Sequence, residues 1–385
     1  MSGHVKKRGE NTWLVTMPLN RDPNTGKRKE HYKTIHGTKK DAKQYLRKIE
    51  TEKDLGIFIE PTSMIVNEYF NKWLEVAAKP RLRERTYIEY CNLLNRYVRP
   101  KWGNNKLVEV QPLDVQALYT SMQAKGLSPR TIRYTHNVLS SAFKQAIKWK
   151  MTVQNPITQA ELPRQVKKEM SALSPEQAKI FLEATAKHRL GVFFALMLIS
   201  GTRPSEALAL KWGDIDLEKG VITIQRTVFW RPKGNGWYFS EPKTPRSNRS
   251  IPLPISFIAN IKEHRLKQLE ERLKEGSNYE NNNLIFATSK GSPFMERNIR
   301  RYFKGILKET NLPLSLNVYS LRHSCASLLL AAGENPKVVA ERLGHASVTL
   351  TLDTYSHVLP TMQQSATDKL EEMLYKKSLQ TQCRQ

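Results

Sequence analysis

Apolar positions along the chain follow two periods. Near the start, Trp13, Val15, Met17 and Leu19 recur at every second residue, which predicts a strand with one apolar face. A Pro and a Gly within Asp22–Gly26 mark a turn, and a basic run follows, so residues 11–36 read as a small sheet. From Thr38 the period becomes helical. Thr38 and Asp41 form a start signal, and Ala42, Tyr45, Leu46 and Ile49 make one stripe.

The helical period dominates residues 64–160. Tyr87, Cys91, Leu94 and Val98 share a face, and Ile132, Leu139, Phe143 and Ala146 share another behind a Ser128-Pro129 cap. Gly56 and Pro61 mark a linker before this stretch, and the polar run from Pro156 to Lys168 marks one after it. A third region opens with the capping box Ser174 to Gln177 and runs into an apolar helix, Leu190 to Ile199, broken by Gly201. Short strands follow at Val221–Ile224 and between Trp237 and Leu253, with a hairpin turn at Lys233–Gly236. A long amphipathic helix is predicted from Phe257 to Lys274, capped by Ser256. Helices then fall near 295–308, 319–331, 336–343, 347–354 and 362–377. Gly333 and Gly344 end two of them. The division is therefore 1–55, 64–160 and 170–385, a multidomain, mainly α chain with small β-sheets.

Charge changes the picture. Lys and Arg number 62 against 36 Asp and Glu, a net of +26. The excess is spread out, with 13 basic and 5 acidic residues in 1–50 and 15 and 6 in 64–160. This favours a polyanionic partner over a membrane, for no apolar run approaches the ~20 residues needed to span one and no signal peptide opens the chain. The three cysteines, Cys91, Cys325 and Cys383, have neither disulfide nor metal spacing, which fits a reducing cytosol. Lys27, Lys29 and Lys33 fall on one strand face, to lie either in a DNA groove or in solvent. Arg81, Arg83, Arg85, Arg130 and Arg133 cluster near helix starts, where phosphate contact and simple solvation are both open.

Candidate chemistry concentrates late in the chain. Gly201-Thr-Arg203-Pro-Ser-Glu206, Lys243 on a basic hairpin, Tyr319-Ser-Leu-Arg322-His323, Leu343-Gly344-His345 and Tyr355 offer fixed cations, an imidazole and a hydroxyl with no carboxylate cluster. Such a set suits a phosphodiester held by cations and attacked by a side chain. Arg203 follows an apolar helix and a Gly, and Arg322 sits inside an otherwise apolar helix, where a guanidinium needs an anion and its planar fork matches phosphate oxygens. His345 ends a predicted helix, where a cationic imidazole is favoured.

In this order and with these flanks the chain resembles the tyrosine recombinases, the integrases of phages and integrative transposons. The resemblance implies an arm-type DNA-binding domain of strands plus helix at 1–55, a helical core-binding domain at 64–160 and an α+β catalytic domain at 170–385 with a C-terminal helix. It implies Tyr355 as nucleophile, Arg203 and Arg322 on the phosphate, His345 as donor, Lys243 as general acid and Glu206 as the group orienting Arg203. For Lys243 the residues alone leave a plain phosphate contact equally open. The implied reaction is site-specific strand exchange through a 3′-phosphotyrosyl link and a Holliday junction, by a homotetramer on core and arm sites. No metal, other cofactor or ATP is expected. Bending and excision factors, and a bacterial cytoplasmic setting, follow from the same likeness.

One position departs from the family. Tyr319 stands where it usually has His, three residues before the second Arg. A tyrosine donates a hydrogen bond but is a poor base near neutrality. His323 lies about 100° round the helix from Arg322 and is not expected to take that role. Two other readings use the same residues. A type IB topoisomerase shares the chemistry but not the arm-like domain, and a catalytically dead DNA-binding regulator is favoured by Tyr319 alone.

Overall fold

The computed structural model describes residues 3–21, 28–54, 63–165, 170–231, 236–240, 248–355 and 359–374, with backbone only at 20–21, 28–29 and 359–366. Lys27, Lys243 and the turns expected at Asp22–Gly26 and Lys233–Gly236 lie wholly or mostly outside these residues, as does the side chain of Lys29. The chain divides into two compact units, Met1–Lys167 and Lys168–Gln385.

In the first unit, β1 (His4–Gly9), β2 (Thr12–Arg21) and β3 (Arg28–His36) form an antiparallel sheet in that order. The helix α1 (Lys39–Asp54) covers one face. Thr38 and Asp41 cap each other's backbone as expected, and Ala42, Leu46 and Ile49 pack on Val15 and Met17. The pairing fixes the side of the sheet on which Lys33 stands. Lys33 stands directly opposite Val15, and facing partners share a side of the sheet. Lys33 therefore belongs to the helix-side row and reaches solvent from the edge strand. The other side of β3 carries Tyr32 and Thr34, both exposed.

The rest of this unit is helical: α2 (Val66–Trp73), α3 (Glu84–Leu93), α4 (Arg99–Trp102), α5 (Pro112–Ala124) and α6 (Pro129–Lys148). Its core holds Tyr69, Phe70, Trp73, Leu94, Val98 and Phe143. Ser128 caps α6 through its hydroxyl, as its sequence predicts. The Tyr69 hydroxyl donates to the Ala142 carbonyl at 2.5 Å, which satisfies a buried polar atom across the bundle.

The second unit is built on α8 (Gly191–Ser200), apolar all round because it is enclosed all round. Around it lie α7 (Pro175–Thr185), the short α9 (Pro204–Ala207), α10 (Ile255–Glu275), α11 (Glu296–Glu309) and α12 (Val318–Ala331). Strands β4 (Ile215–Asp216), β5 (Val221–Ile224) and β8 (Arg249–Pro252) make one small antiparallel sheet, and β6 (Thr227–Trp230) pairs with β7 (Trp237–Ser240). Helices α13 (Pro336–Leu343), α14 (Val348–Tyr355) and α15 (Leu359–Leu374) close the unit. The start of α10 differs from expectation. Pro254, not Ser256, takes the cap position, its fixed φ of −59° leading straight into the helix.

Candidate active site

Backbone geometry sets the site's floor. α8 ends at Gly201, whose φ of 68° lies in the left-handed region. The reversed chain turns the Gly201 carbonyl to α12, where it accepts a hydrogen bond from Arg322 Nη1 at 2.7 Å. Arg322 is 4% exposed, and its Nη2 is buried with no hydrogen-bond partner among the described residues. Such a guanidinium is costly unless it meets an anion. Burial, then the neighbouring Arg203, bring its pKa down to about 10, with Glu206 pulling the other way.

Two residues past Gly201, Arg203 caps α9. Its N–H donates to Glu206 Oε2 at 3.0 Å and its Nη1 to Oε1 at 2.6 Å. Arg249 on β8 donates to the same Oε2 at 2.8 Å, and its Nε to the Arg342 carbonyl at 2.7 Å. Burial works to raise the Glu206 carboxyl, but Arg249 and Arg203 outweigh it and hold it below the usual range. One enclosed carboxylate thus fixes two guanidiniums and ties α9 to β8.

At the far side, α13 ends in Gly344 with φ of 67°, and the Gly344 carbonyl accepts from Arg203 Nη2 at 3.4 Å. The next residue is His345, whose Nδ1 lies 2.7 Å from the buried Thr351 hydroxyl, leaving Nε2 for a ligand. The preference of a helix C-terminus for a cationic imidazole is outweighed here. Burial first, then Arg322, Arg203 and Arg249, push His345 down to about 4. A helix C-terminus favours the cation by only about 1 kcal/mol, too little to offset those forces. His345 is therefore neutral at pH 7.

Tyr355 closes α14. Its ring is 1% exposed and its hydroxyl lies 2.8 Å from His323 Nδ1. Burial pushes its pKa up to about 12, against the pull of Arg322. His323 itself is lowered by burial and then by Arg322. The turn that carries His323 away from Arg322 is the turn that aims it at Tyr355.

The structure thus brings Arg203, Glu206, Arg322, His345 and Tyr355 together. Tyr319 lies on the first turn of α12, 45% exposed, beside a groove of about 350 Å³ lined also by Pro204, Leu208 and Phe303. Among the other candidates, Arg133 donates twice to the Pro163 carbonyl, Arg85 pairs with Glu89 and Arg81 reaches Ser141 at 3.4 Å. Arg83 is exposed at the cap position before α3, and Arg130 is exposed on the first turn of α6. Among the described residues no group of three His, Cys, Asp or Glu side chains is placed to hold a metal ion. The sequence reading missed His323, Arg249 and Thr351 as parts of the site. The adjacent pair Arg322-His323 was a usable signal, because a helix packed against several neighbours presents more than one working face.

Comparison with known proteins agrees with this architecture. The Phage integrase family model matches residues 167–362, the phage integrase N-terminal SAM-like domain matches 65–123, and an Arm DNA-binding domain matches 4–53. The chain is 30% identical to a protein named tyrosine recombinase XerC-like from Caldanaerobacter subterraneus subsp. tengcongensis, over 95% of this chain and 97% of that one. Its fold is similar to that of the Tn1549 transposon integrase solved with a circular intermediate DNA, with a TM-score of 0.67, 23% identity and coverage of 80% and 100%. It is also similar to a lambda integrase tetramer bound to a Holliday junction, with a TM-score of 0.57, 17% identity and coverage of 91% and 94%. With a family model over half its length and a full-length relative at this identity, the chain belongs to the phage integrase family, the tyrosine recombinases that cleave and rejoin DNA strands.

Proposed function

We propose that this recombinase uses Tyr355 as its nucleophile on the scissile phosphate of a mobile element's attachment site. The observation that carries the reading is Arg322, buried with an unpartnered Nη2 among the described residues, beside the Tyr355 hydroxyl and the neutral His345. Arg203 and Arg322 hold the non-bridging oxygens with planar forks, and His345 donates from Nε2. Glu206 orients Arg203, and Tyr319 adds a neutral donor at the edge of the site. The tyrosine oxygen bonds to phosphorus as the bond to the 5′ oxygen breaks, and Lys243 protonates that leaving oxygen. The 5′-hydroxyl of the partner strand reverses the 3′-phosphotyrosyl link, and a second round resolves the Holliday junction. The bond energy stays in the covalent link, so neither ATP nor a metal enters, and cleavage persists in excess chelator.

The proposed division of labour follows the chain. Residues 1–55 bind arm sites, 64–160 hold the core site and 170–385 carry the chemistry, in a homotetramer on two duplexes. Lys27, Lys29, Lys33, Arg81, Arg83, Arg85, Arg130 and Arg133 are the proposed DNA contacts, Arg133 and Lys33 being the least favoured by their surroundings. DNA-bending and excision factors assist in the cytoplasm of a bacterial host. No helix among the described residues is long and apolar enough to cross a membrane.

The test is a nicked suicide duplex carrying the element's end. The parent protein forms a covalent adduct, and Tyr355→Phe binds the duplex normally and forms none. An adduct of undiminished yield from Tyr355→Phe overturns the assignment.

A further inference from the structure

Attack by Tyr355 needs a destination for the hydroxyl proton. A phenol of ordinary pKa near 10 is a weak nucleophile at neutrality, and burial of Tyr355 raises it further, to about 12. Tyr319, at the family's usual histidine position, is a poor base. Among the described residues, the hydrogen-bond partner of the Tyr355 oxygen is His323 Nδ1, at 2.8 Å.

We infer that His323 is the general base of this recombinase, taking the Tyr355 proton on Nδ1 as the tyrosine oxygen attacks phosphorus. The inference rests on the reading of Tyr355 as nucleophile. In the forward step the Oη–H bond breaks and the proton moves to Nδ1, the Oη–P bond forms, and the P–O5′ bond breaks. In rejoining, the same imidazolium returns the proton to the departing tyrosine oxygen.

Three features suit His323 to this work. α14 delivers the Tyr355 hydroxyl to within hydrogen-bond reach, inside the 2.6–3.2 Å that a base requires. Burial and then Arg322 hold the imidazole below the usual histidine range, so it is neutral at pH 7. Its ring nitrogen can therefore accept from the hydroxyl in the tautomer protonated at Nε2. The side chain is half-buried, not sealed, so the ring can exchange protons with solvent between turnovers. Among the described residues, the charged and titratable groups facing it are Arg322 on α12, Tyr355 on α14 and His345 after α13. His345, at about 4, titrates well below neutrality and so does not shape the profile between pH 7 and 9.

The experiment is single-turnover cleavage of the suicide duplex by the full chain, parent and His323→Asn, between pH 5 and 9. Asparagine keeps a hydrogen-bond acceptor near the place of Nδ1 without its basicity. The parent's rate should be level from pH 7 to 9 and fall at acid pH. His323→Asn should be slower by about 100- to 1,000-fold at pH 7 and gain about tenfold per pH unit as hydroxide replaces the base. Rejoining from a preformed adduct should slow by a similar factor. A variant within about threefold of the parent overturns the inference, and so does one slowed equally at every pH, which is the signature of mere positioning. A parent rate that climbs tenfold per unit from pH 7 to 9 overturns it without any variant. If Tyr355→Phe still forms the adduct, the nucleophile assignment has failed instead, and the two failures are thereby told apart.

Discussion

Arg249 donates to Glu206 Oε2 at 2.8 Å from a different element of the fold, and Glu206 holds Arg203 with its other oxygen. The carboxylate is 2% exposed, so the cost of removing it is that of leaving two guanidiniums without their shared anion. Glu206→Ala is expected to destabilise the catalytic unit by about 3–5 kcal/mol, the range for breaking a buried charged pair. Glu206→Gln keeps the shape and should cost less, yet slow cleavage by misaiming Arg203. Urea unfolding of both variants beside single-turnover cleavage separates the two effects. Equal stability of Glu206→Ala and parent would show that the ion triad contributes nothing net.

A second expectation concerns Gly201. Its left-handed φ disfavours any side chain by about 1–2 kcal/mol. A Cβ there would also sit 2.6 Å from Leu343 Cδ2, in the buried contact between α8 and α13. Gly201→Ala should therefore lower the melting temperature by about 5–10 °C, given the size of the unit. Cleavage should fall further than stability does, because the Gly201 carbonyl is the anchor of Arg322 Nη1. A melting curve and cleavage rate both unchanged would remove this turn from the account.

His345 gives stability a pH dependence. Its folded pKa of about 4 lies below the unfolded value near 6.5. Between the two, the unfolded chain binds a proton that the folded chain does not, so stability falls as pH drops from about 6.5 towards 4. His345→Gln should flatten that part of the profile. Denaturant unfolding of parent and variant at pH 7.5 and pH 5 gives the comparison: the parent should lose more stability on acidification than the variant. Glu206 acts in a lower window, since a depressed carboxyl loses its contribution only as pH falls through its folded pKa.

Much of this was legible in the sequence because local signals carried it. The Thr38–Asp41 and Ser174–Gln177 caps, the Ser128-Pro129 start and the glycine stops at 201 and 344 all mark element ends through backbone chemistry that a sequence records directly. The motif residues Arg203, Arg322, His345 and Tyr355 are picked out by the likeness of their flanks to those of the tyrosine recombinases. What stayed hidden depends on tertiary approach. The protonation of His345 depends on its burial and on three arginines, from α12, the cap of α9 and β8, gathering around it. The partner of the Tyr355 hydroxyl depends on how α14 crosses α12. The face of Lys33 depends on strand register, where a shift of one residue reverses every side chain. Helix periodicity also gave no notice of the π-helical turns at Leu74–Ala78 and Leu94–Val98.

Tyr319 provides the last expectation. It stands one helical turn before Arg322 and borders the groove lined by Pro204, Leu208 and residues of α11. If its hydroxyl donates to a non-bridging oxygen, Tyr319→Phe should slow cleavage by about 10- to 1,000-fold, the range for one transition-state donor. DNA affinity should barely change, since many other phosphate contacts remain. The pH profile should keep the parent's shape, because a neutral donor with a pKa near 10 does not titrate between pH 6 and 8. That separates it from His323, whose loss should change the slope. Tyr319→His should retain substantial activity and gain a pH dependence near roughly 6 to 7 from the new imidazole. Single-turnover rates of the three proteins on one suicide duplex decide the matter. If Tyr319→Phe cleaves as fast as the parent, the hydroxyl has no part in the chemistry and the ring serves only to pack beside Pro204 and Phe303.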